Sequence, residues 1–159
     1  EILIPKAQAK IIRTSWLMGP SGKNFALTIL NLHRKIDEIK VVADQVGSPT
    51  TTDSLSIACW QMIKKDIQGV NLPNILHWSD LGVASWYDVA IAIGELGEKV
   101  GLIDTPANVI PISSKEYGLL TPRPNYSVLD SSITRQLIDL KAIHWRYTLE
   151  RLLILHSQL

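Results

Sequence analysis

Four consecutive residues at the end of a short apolar stretch are the first candidates for chemistry in this sequence. The stretch reads IIRTSWLMGP over residues 11–20, and β-branched residues followed by a Gly-Pro pair are typical of a strand that leads into a loop. Ligands of open α/β sheets bind beyond the carboxyl ends of strands, so a guanidinium, two hydroxyls and the indole of Trp16 at this place indicate a binding site. The alternative is an ordinary strand end whose polar groups face water.

Three further candidates lie at a helix start or in loops. Asn24 opens a predicted helix, where its amide can cap the backbone or contact a ligand. Residues 45–50 form a polar loop shaped by a glycine and a proline, and such loops on rigid scaffolds often carry function; composition alone indicates only a turn. Arg123 stands between two prolines, and a rigid backbone beneath an arginine suits bidentate binding of phosphate. A solvated loop arginine is the alternative.

The histidines and the cysteine are weaker candidates. His77 has no carboxylate or nucleophile beside it in the sequence, so we interpret it as a satisfied, partly buried histidine rather than a general base. Cys59 is interpreted as a core residue, because it belongs to the predicted buried face of the helix at residues 53–68, together with Leu55, Ala58, Met62 and Ile63. The four histidines show no metal-ligand spacing with the cysteine or with one another. We therefore expect no metal site.

Length and composition describe one ordinary globular domain. The chain has 159 residues, of which 46% are hydrophobic and 19% charged. A net charge of +1 gives no basic field for nucleic acid or an anionic membrane, and no apolar run approaches the roughly 20 residues of a membrane span. Residues 1–10 lack the pattern of a signal peptide. One cysteine cannot form an intramolecular disulfide, so a reducing, cytoplasmic location is expected.

Hydrophobic periodicity predicts the elements that must position these residues. Helices are predicted over residues 23–36, 53–68 and 145–156, and another begins at the Ser-Trp-Tyr-Asp capping box of residues 85–88. Strands are predicted at residues 11–16, 38–42, 74–78 and 128–129, with an edge-like strand at 109–112 because Pro111 cannot donate to a central ladder. This alternation of strands and helices predicts an α/β fold.

Six motifs occur in one order along the chain. They are Arg-Thr-Ser-Trp at 13–16, Gly-Lys-Asn-Phe at 22–25, Asp-Gln-Val-Gly-Ser-Pro-Thr at 44–50, His-Trp at 77–78, Ser-Trp-Tyr-Asp at 85–88, and Arg-Pro-Asn-Tyr-Ser at 123–127 followed by Leu-Asp at 129–130. In this combination the chain resembles the dTDP-4-dehydrorhamnose reductases, a family of the extended short-chain dehydrogenase/reductase group. The resemblance covers nearly the whole chain, and six spaced motifs are more specific than any one of them.

The resemblance implies the C-terminal portion of a Rossmann-like fold, namely the last parallel strands plus a small mixed α/β substrate-binding lobe. Residues 1–159 would form a single C-terminal segment, with the N-terminal dinucleotide-binding part absent, because the family's Gly-rich turn and Tyr-x-x-x-Lys pair have no counterpart here. We therefore expect no catalytic and no cofactor-binding residue in this chain. NADPH or NADH would bind the full-length enzyme, and none is expected to bind this chain alone.

The resemblance also implies a reaction and a set of binding residues. The whole enzyme would reduce dTDP-4-dehydro-L-rhamnose to dTDP-L-rhamnose, and this piece would contribute sugar-nucleotide binding without activity of its own. Trp16 would lie against the sugar, Asn24, Gln45 and Thr50 would line the nucleotide side, and Arg123 would hold the diphosphate. The implied partners are the dTDP-sugar, the missing N-terminal Rossmann half and a second copy in a homodimer, with no nucleic acid and no membrane.

Two other interpretations stay open. One is a non-catalytic regulatory subunit similar to that of methionine adenosyltransferase, and the other is a non-functional remnant that keeps the lobe as a scaffold. The motifs at residues 13–16 and 44–50 favour the reductase, although Met18 stands where the family commonly has an aromatic residue. The coding sequence upstream of Glu1 discriminates between them: a Gly-rich turn and a Tyr-x-x-x-Lys pair would establish the enzyme, and a stop codon would favour the remnant.

Overall fold

Nine short strands and six helices alternate through the part of the chain that the computed structural model describes, which is residues 9–118, 121 and 123–159. The strands are β1 (Ile11–Arg13), β2 (Leu17–Met18), β3 (Glu38–Val42), β4 (Val46–Gly47), β5 (Thr50–Thr51), β6 (Ile75–His77), β7 (Ala84–Ser85), β8 (Asn108–Ile112) and β9 (Tyr126–Ser127). The helices are α1 (Phe25–His33), α2 (Thr52–Ile67), α3 (Trp86–Lys99), α4 (Ser114–Tyr117), α5 (Ser132–Ile138) and α6 (Trp145–His156).

Parallel pairing dominates the sheets. β1 pairs with β6, β2 with β5 and β3 with β8, all in parallel. A fourth sheet has the order β7-β4-β9, with β4 antiparallel to β7 and parallel to β9. Parallel strands need long crossovers, and α2 lies in the crossover from β1 to β6 while α3 lies in that from β3 to β8. This is the mixed α/β architecture that the sequence predicts.

The larger of two apolar clusters, called the large cluster here, lies between α1, α3, α6 and β3. Its centre is α3, whose apolar residues recur at three- and four-residue spacing and are buried. A Cβ on Gly97 would come within 2.6 Å of Ile103, and one on Gly94 within 2.8 Å of the His33 ring. The close packing that these two helical glycines predict is confirmed.

The second cluster, called the small cluster, joins β6, α2 and α5. Its buried members are Ala58, Met62, Leu72, Leu76, Trp78 and Ile138. The opposite side of α2 carries a second apolar stripe at helical spacing, called the α2 stripe, which is exposed and consists of Ile57, Trp60, Ile63 and Ile67. The prediction that Ile63 belongs to the buried face is wrong, since 47% of it is exposed. Cys59 is only half-buried, at the border between the two faces.

Tertiary contacts shift several predicted boundaries. α1 ends at His33, whose ring accepts from the Ala107 N–H at 3.1 Å and contacts the Ala90 carbonyl at 3.0 Å. Ile36, predicted as the last residue of the buried stripe, is therefore outside the helix and 45% exposed. The strand predicted at residues 128–129 is wrong, because β9 lies two residues earlier, where it pairs with β4.

Local capping signals predict the helix starts well. Ser85 and Asp88 form the predicted capping box at the start of α3, and Ser113 and Glu116 form another at α4. The first and last residues of α6 and of β3 are also those predicted from the sequence. Both depend on contacts between near neighbours in the chain, which is why periodicity and capping are sufficient to locate them.

Candidate functional site

The indole of Trp16 lies at the end of the chain segment that leaves β1, in a stack of three aromatic rings. Its ring is nearly parallel to that of Trp86, with the ring centroids 3.6 Å apart and the planes 7° from one another. Phe25 packs on Trp86 at 4.4 Å and 48°. All three rings are half-buried at the border of the large cluster. We call Trp16, Trp86 and Phe25 the aromatic stack.

The backbone of Trp16 is in the left-handed region, with a φ of +47°. This conformation is uncommon for a bulky residue and costs of order 1–3 kcal/mol. Trp16 lies between β1 and β2. The surrounding structure must therefore hold Trp16 in this conformation.

The predicted loop of residues 45–50 supplies part of that support. Ser15 Oγ donates to the Ser48 carbonyl at 2.7 Å, and the Thr50 N–H donates to the Trp16 carbonyl at 3.3 Å. A Cβ on Gly47 would come within 2.6–2.8 Å of three indole atoms of Trp16. The motifs at residues 13–16 and 44–50 are thus in direct contact, and the close approach of backbone to ring requires a glycine at position 47.

Gln45 and its neighbour Asp44 bind the start of α4. The Gln45 amide donates to Ser114 Oγ at 2.9 Å, and Gln45 is buried. The Asp44 carboxylate accepts from the Ser114 N–H at 2.9 Å and from its hydroxyl at 2.6 Å. These bonds from the Ser114 side chain and backbone lower the pKa of Asp44. The loop is therefore anchored at one end to α4 and at the other end to Trp16.

Asn24 serves as the N-cap of α1. Its Oδ1 accepts from the Leu27 N–H at 3.2 Å, and its Nδ2 donates to the Gly19 carbonyl at 2.9 Å. The capping alternative left open by the sequence is thereby confirmed. Asn24 also precedes Phe25 of the aromatic stack, so it lies beside the candidate site. A ligand contact by Asn24 stays a prediction.

Thr50 and Arg123 differ in accessibility. Thr50 is fully buried, and its hydroxyl has no hydrogen-bond partner among the described residues. Arg123 is exposed and lies three residues before β9, while Pro122 lies outside the described residues. The backbone near Arg123 is tied to the site, because the Val46 N–H donates to the Asn125 carbonyl at 2.8 Å. The roles expected of both residues stay predictions.

A buried carboxylate that sequence reasoning did not select lies after β6. Asp80 accepts from the Thr51 N–H at 3.1 Å, from the Thr148 hydroxyl at 2.6 Å and from the Ser54 hydroxyl. Its burial raises its pKa, and these hydrogen bonds offset part of that effect. Asp80 therefore joins α2 to α6. The donors come from distant parts of the chain, so no local pattern could have indicated this role.

Side chains of the protein already accept backbone N–H groups at the starts of α1 to α4, where an anion such as a pyrophosphate could otherwise bind. Asn24 caps α1, and carboxylates already accept N–H groups at α2, α3 and α4, namely those of Asp80, Asp88 and Glu116. A carboxylate in that place repels a second anion. Among the described residues there is also no cluster of three metal-ligating side chains, and no helix there is long and apolar enough to cross a membrane.

Comparison with known proteins identifies the family. The family described as RmlD substrate binding domain matches residues 2–157. The chain belongs to the RmlD substrate-binding domain family. It is 37% identical over 96% of its length to the spore coat polysaccharide biosynthesis protein SpsK of Bacillus subtilis, and 33% identical over 89% of its length to a dTDP-4-dehydrorhamnose reductase of Aggregatibacter actinomycetemcomitans. The predicted resemblance is confirmed.

Solved structures of this family show the same fold. A dTDP-4-dehydrorhamnose reductase from Bacillus anthracis in complex with NADP is 36% identical, with a TM-score of 0.77 over 91% of this chain and 47% of that one. A Clostridium acetobutylicum relative is 34% identical with the same TM-score of 0.77. The chain spans about half the length of the curated relatives it matches, 49% of both the Bacillus subtilis and the Aggregatibacter proteins. The predicted fold class is confirmed.

Proposed function

We propose that this RmlD substrate-binding domain is the sugar-nucleotide-binding part of a dTDP-4-dehydrorhamnose reductase, and that it is inactive alone. The proposed substrate of the whole enzyme is dTDP-4-dehydro-L-rhamnose, reduced to dTDP-L-rhamnose with NADPH or NADH. The observation that carries this proposal is Trp16, a partly exposed residue whose indole contacts the loop of residues 45–50 beyond the end of a parallel strand. Ligands of open α/β sheets bind in that position.

The chemistry of the site suits a deoxysugar attached to a nucleoside diphosphate. A flat indole packs well against the apolar face of a sugar ring that carries a methyl group. Asn24 and Gln45 add amide groups near this ring, although both amides already bond to the protein. Arg123 is exposed beside the strand that pairs with β4, where its guanidinium is free to approach a diphosphate in bidentate geometry. These assignments form one extended site.

The proposed partner is a dinucleotide-binding half like the remainder of the longer relatives. Among the described residues β1 pairs only with β6, whereas parallel strands normally have neighbours and helices around them. Beside β1 lies a groove of about 270 Å³ lined by apolar residues of α2 and by Lys10, Ile12 and Leu72, and the exposed α2 stripe borders it. A further parallel strand and its helix would cover both the strand edge and the groove.

The cofactor, the assembly and the cellular location follow from this assignment. NADPH or NADH would be held by the other half, and the carboxylates that accept N–H groups at the starts of α2, α3 and α4 support this assignment. A homodimer and a cytoplasmic location complete the proposal. The single half-buried Cys59 fits a reducing compartment.

Calorimetric titration of the 159-residue chain with dTDP-L-rhamnose, and separately with NADPH, tests the proposal. We expect binding of the nucleotide sugar and no binding of NADPH. Arg123→Ala should weaken sugar-nucleotide binding about ten- to a hundredfold, because a charge-assisted contact is worth roughly 1.5–3 kcal/mol. Trp16→Ala should weaken it about tenfold through loss of the ring contact. The matched controls are Tyr147→Ala and Arg151→Ala on exposed positions of α6, and both should leave the affinity for dTDP-L-rhamnose unchanged.

Reductase activity supplies the second test. We expect none from the chain alone and activity when the dinucleotide-binding half of the Bacillus anthracis relative is joined to its N-terminus. NADPH binding by the isolated chain would contradict the proposal that the cofactor is held by the other half of the enzyme. Failure to bind dTDP-L-rhamnose in either form would contradict the sugar-nucleotide assignment itself.

A further inference from the structure

Trp86, at the border of the large cluster, has defined contacts to both its backbone and its side chain. It is the first residue of α3 and lies within the capping box, in which the Ser85 N–H donates to Asp88 at 2.8 Å and the Asp88 N–H donates to Ser85 Oγ at 3.0 Å. Its ring is enclosed between Trp16 and Phe25. Both its backbone and its side chain are therefore fixed.

The geometry of the Trp16–Trp86 pair is not the one that two free rings prefer. Aromatic pairs favour offset or edge-to-face arrangements over direct face-to-face stacking. Here the centroids are only 3.6 Å apart and the planes only 7° from parallel. Since the backbone of Trp16 also has a φ of +47°, the surroundings impose both the ring orientation and the backbone conformation. Rare conformations that are imposed in this way are often found at ligand sites.

Trp16 has a second rigid neighbour in Gly47, which leaves no room for a Cβ beside the indole. The Trp86 ring and the Gly47 backbone therefore restrict the indole to one orientation, while part of the ring stays exposed. A binding surface prepared before the ligand arrives avoids the entropy cost of ordering it on binding.

We propose that Trp86 is a positioning residue of the sugar-nucleotide site, which acts by holding the Trp16 indole in the orientation that receives the sugar ring. This inference rests on the proposed function, because it needs Trp16 to contact the ligand. Trp86 itself does not contact the sugar. Its effect on binding passes through Trp16, so substitutions of the two residues must be non-additive.

The test is a double-mutant cycle on the 159-residue chain titrated with dTDP-L-rhamnose. We expect Trp16→Leu and Trp86→Leu each to weaken binding about tenfold, and the double variant to bind no more weakly than Trp16→Leu alone. Trp86→Phe retains a ring and should restore affinity to within about twofold of the wild type. Tyr147→Leu, an exposed aromatic residue on α6, is the control and should bind as the wild type does.

Near-ultraviolet circular dichroism reports whether the two indoles stack, and the affinity of the same variants separates a positioning role from a purely structural one. Two stacked indoles give a coupled signal, which Trp16→Leu and Trp86→Leu should both abolish while Tyr147→Leu retains it. Gly47→Ala is a second variant in case Trp86→Leu fails to fold. Its Cβ would lie 2.6 Å from the Trp16 ring. The substitution should therefore displace the indole, alter the coupled circular dichroism signal and weaken binding of dTDP-L-rhamnose.

Three results would overturn the inference. The first is a Trp86→Leu variant that loses the coupled signal but binds dTDP-L-rhamnose like the wild type, which would show that the aromatic stack has only a structural role. Additive losses in the double variant would mean that Trp86 contacts the sugar directly. A folded Gly47→Ala chain with a changed signal and unchanged affinity would show that indole orientation is irrelevant. Absence of binding by the wild-type chain is a different result, because it contradicts the proposed function and removes the basis of this inference with it.

Discussion

The two apolar clusters of the described residues differ in how completely the chain covers them. In the large cluster, α1, α3 and α6 surround β3, and Leu149 and Ile93 are fully buried. In the small cluster, α2 covers β6 with one face, while its other face leaves Trp60 65% and Ile67 81% exposed. The difference teaches that described elements cover the large cluster on its helical side, whereas the outer face of α2 beside the small cluster stays exposed among the described residues.

Asp80 lies where the two clusters meet. It accepts hydrogen bonds from Thr51 and Ser54 at the start of α2 and from Thr148 on α6. Trp78 of the small cluster donates to Ser54 at 3.1 Å, which ties that cluster to the same network. A polar network therefore joins two apolar regions that are unequally covered.

The largest effect is expected in the large cluster. Leu149→Ala should lower the free energy of unfolding by about 2–5 kcal/mol, because a buried leucine is replaced by a cavity. Ile67→Ala on the α2 stripe is the matched control and should change it by less than about 0.5 kcal/mol. Urea unfolding followed by circular dichroism measures both. Equal losses would show that the outer face of α2 is already covered in this chain.

Removal of the connection between the clusters should have the next largest effect. Asp80→Ala leaves the buried donors of Thr51, Ser54 and Thr148 without an acceptor, which should cost about 2–3 kcal/mol. Glu95→Ala removes an exposed carboxylate that pairs with Arg146 and should cost at most about 1 kcal/mol. The same urea experiment applies. A loss no greater than that of Glu95→Ala would mean that Asp80 does not hold α2 to α6.

The pH dependence of Asp80 provides a third test. Burial raises its pKa above the ordinary value of 3.8, so the folded chain binds this proton more tightly than the unfolded chain does. The contribution of this group to the free energy of unfolding is therefore most favourable below 3.8 and falls as pH rises through the raised pKa. Asp80→Asn removes that dependence.

Urea unfolding of the wild type and of Asp80→Asn between pH 4 and pH 7 measures the effect. The unfolding free energy of the wild type minus that of the variant should decrease as pH rises, because the wild type loses the contribution of Asp80. Asp44 has the opposite sign, because bonds from Ser114 lower its pKa, but solvent screening makes its contribution small. A pH-independent difference would contradict the raised pKa of Asp80.

The smallest effect on stability is expected from polar substitution of the α2 stripe. Ile63→Ser combined with Ile67→Ser should leave the free energy of unfolding within about 1 kcal/mol of the wild type, since both side chains are exposed. It should lower the fluorescence of a dye that binds apolar surface and weaken association with an added dinucleotide-binding half. Unchanged dye binding would show that this stripe is not the accessible apolar surface.

Particular residues show how much the sequence reveals. Ser85 and Asp88 predict the start of α3, and the spacing of Trp145, Leu149 and Leu152 predicts α6, because both signals act between residues within two turns. Periodicity could not predict which of two apolar faces of α2 is buried. Ile63 lies on a face that is apolar by composition, and it is 47% exposed.

For the candidate site, too, some features could be predicted from the sequence and others could not. Residue types made Trp16 a candidate for a ligand site, with an ordinary strand end as the alternative, and composition alone indicated only a turn at residues 45–50. Whether they meet depended on the pairing of β2 with β5 and on the approach of Gly47 to the indole. The stack on Trp86 and the hydrogen bonds to Asp80 join residues that are 26 to 70 positions apart, and the burial of Thr50 likewise depends on the folded chain. Those contacts follow from tertiary packing, which no local signal in the chain encodes.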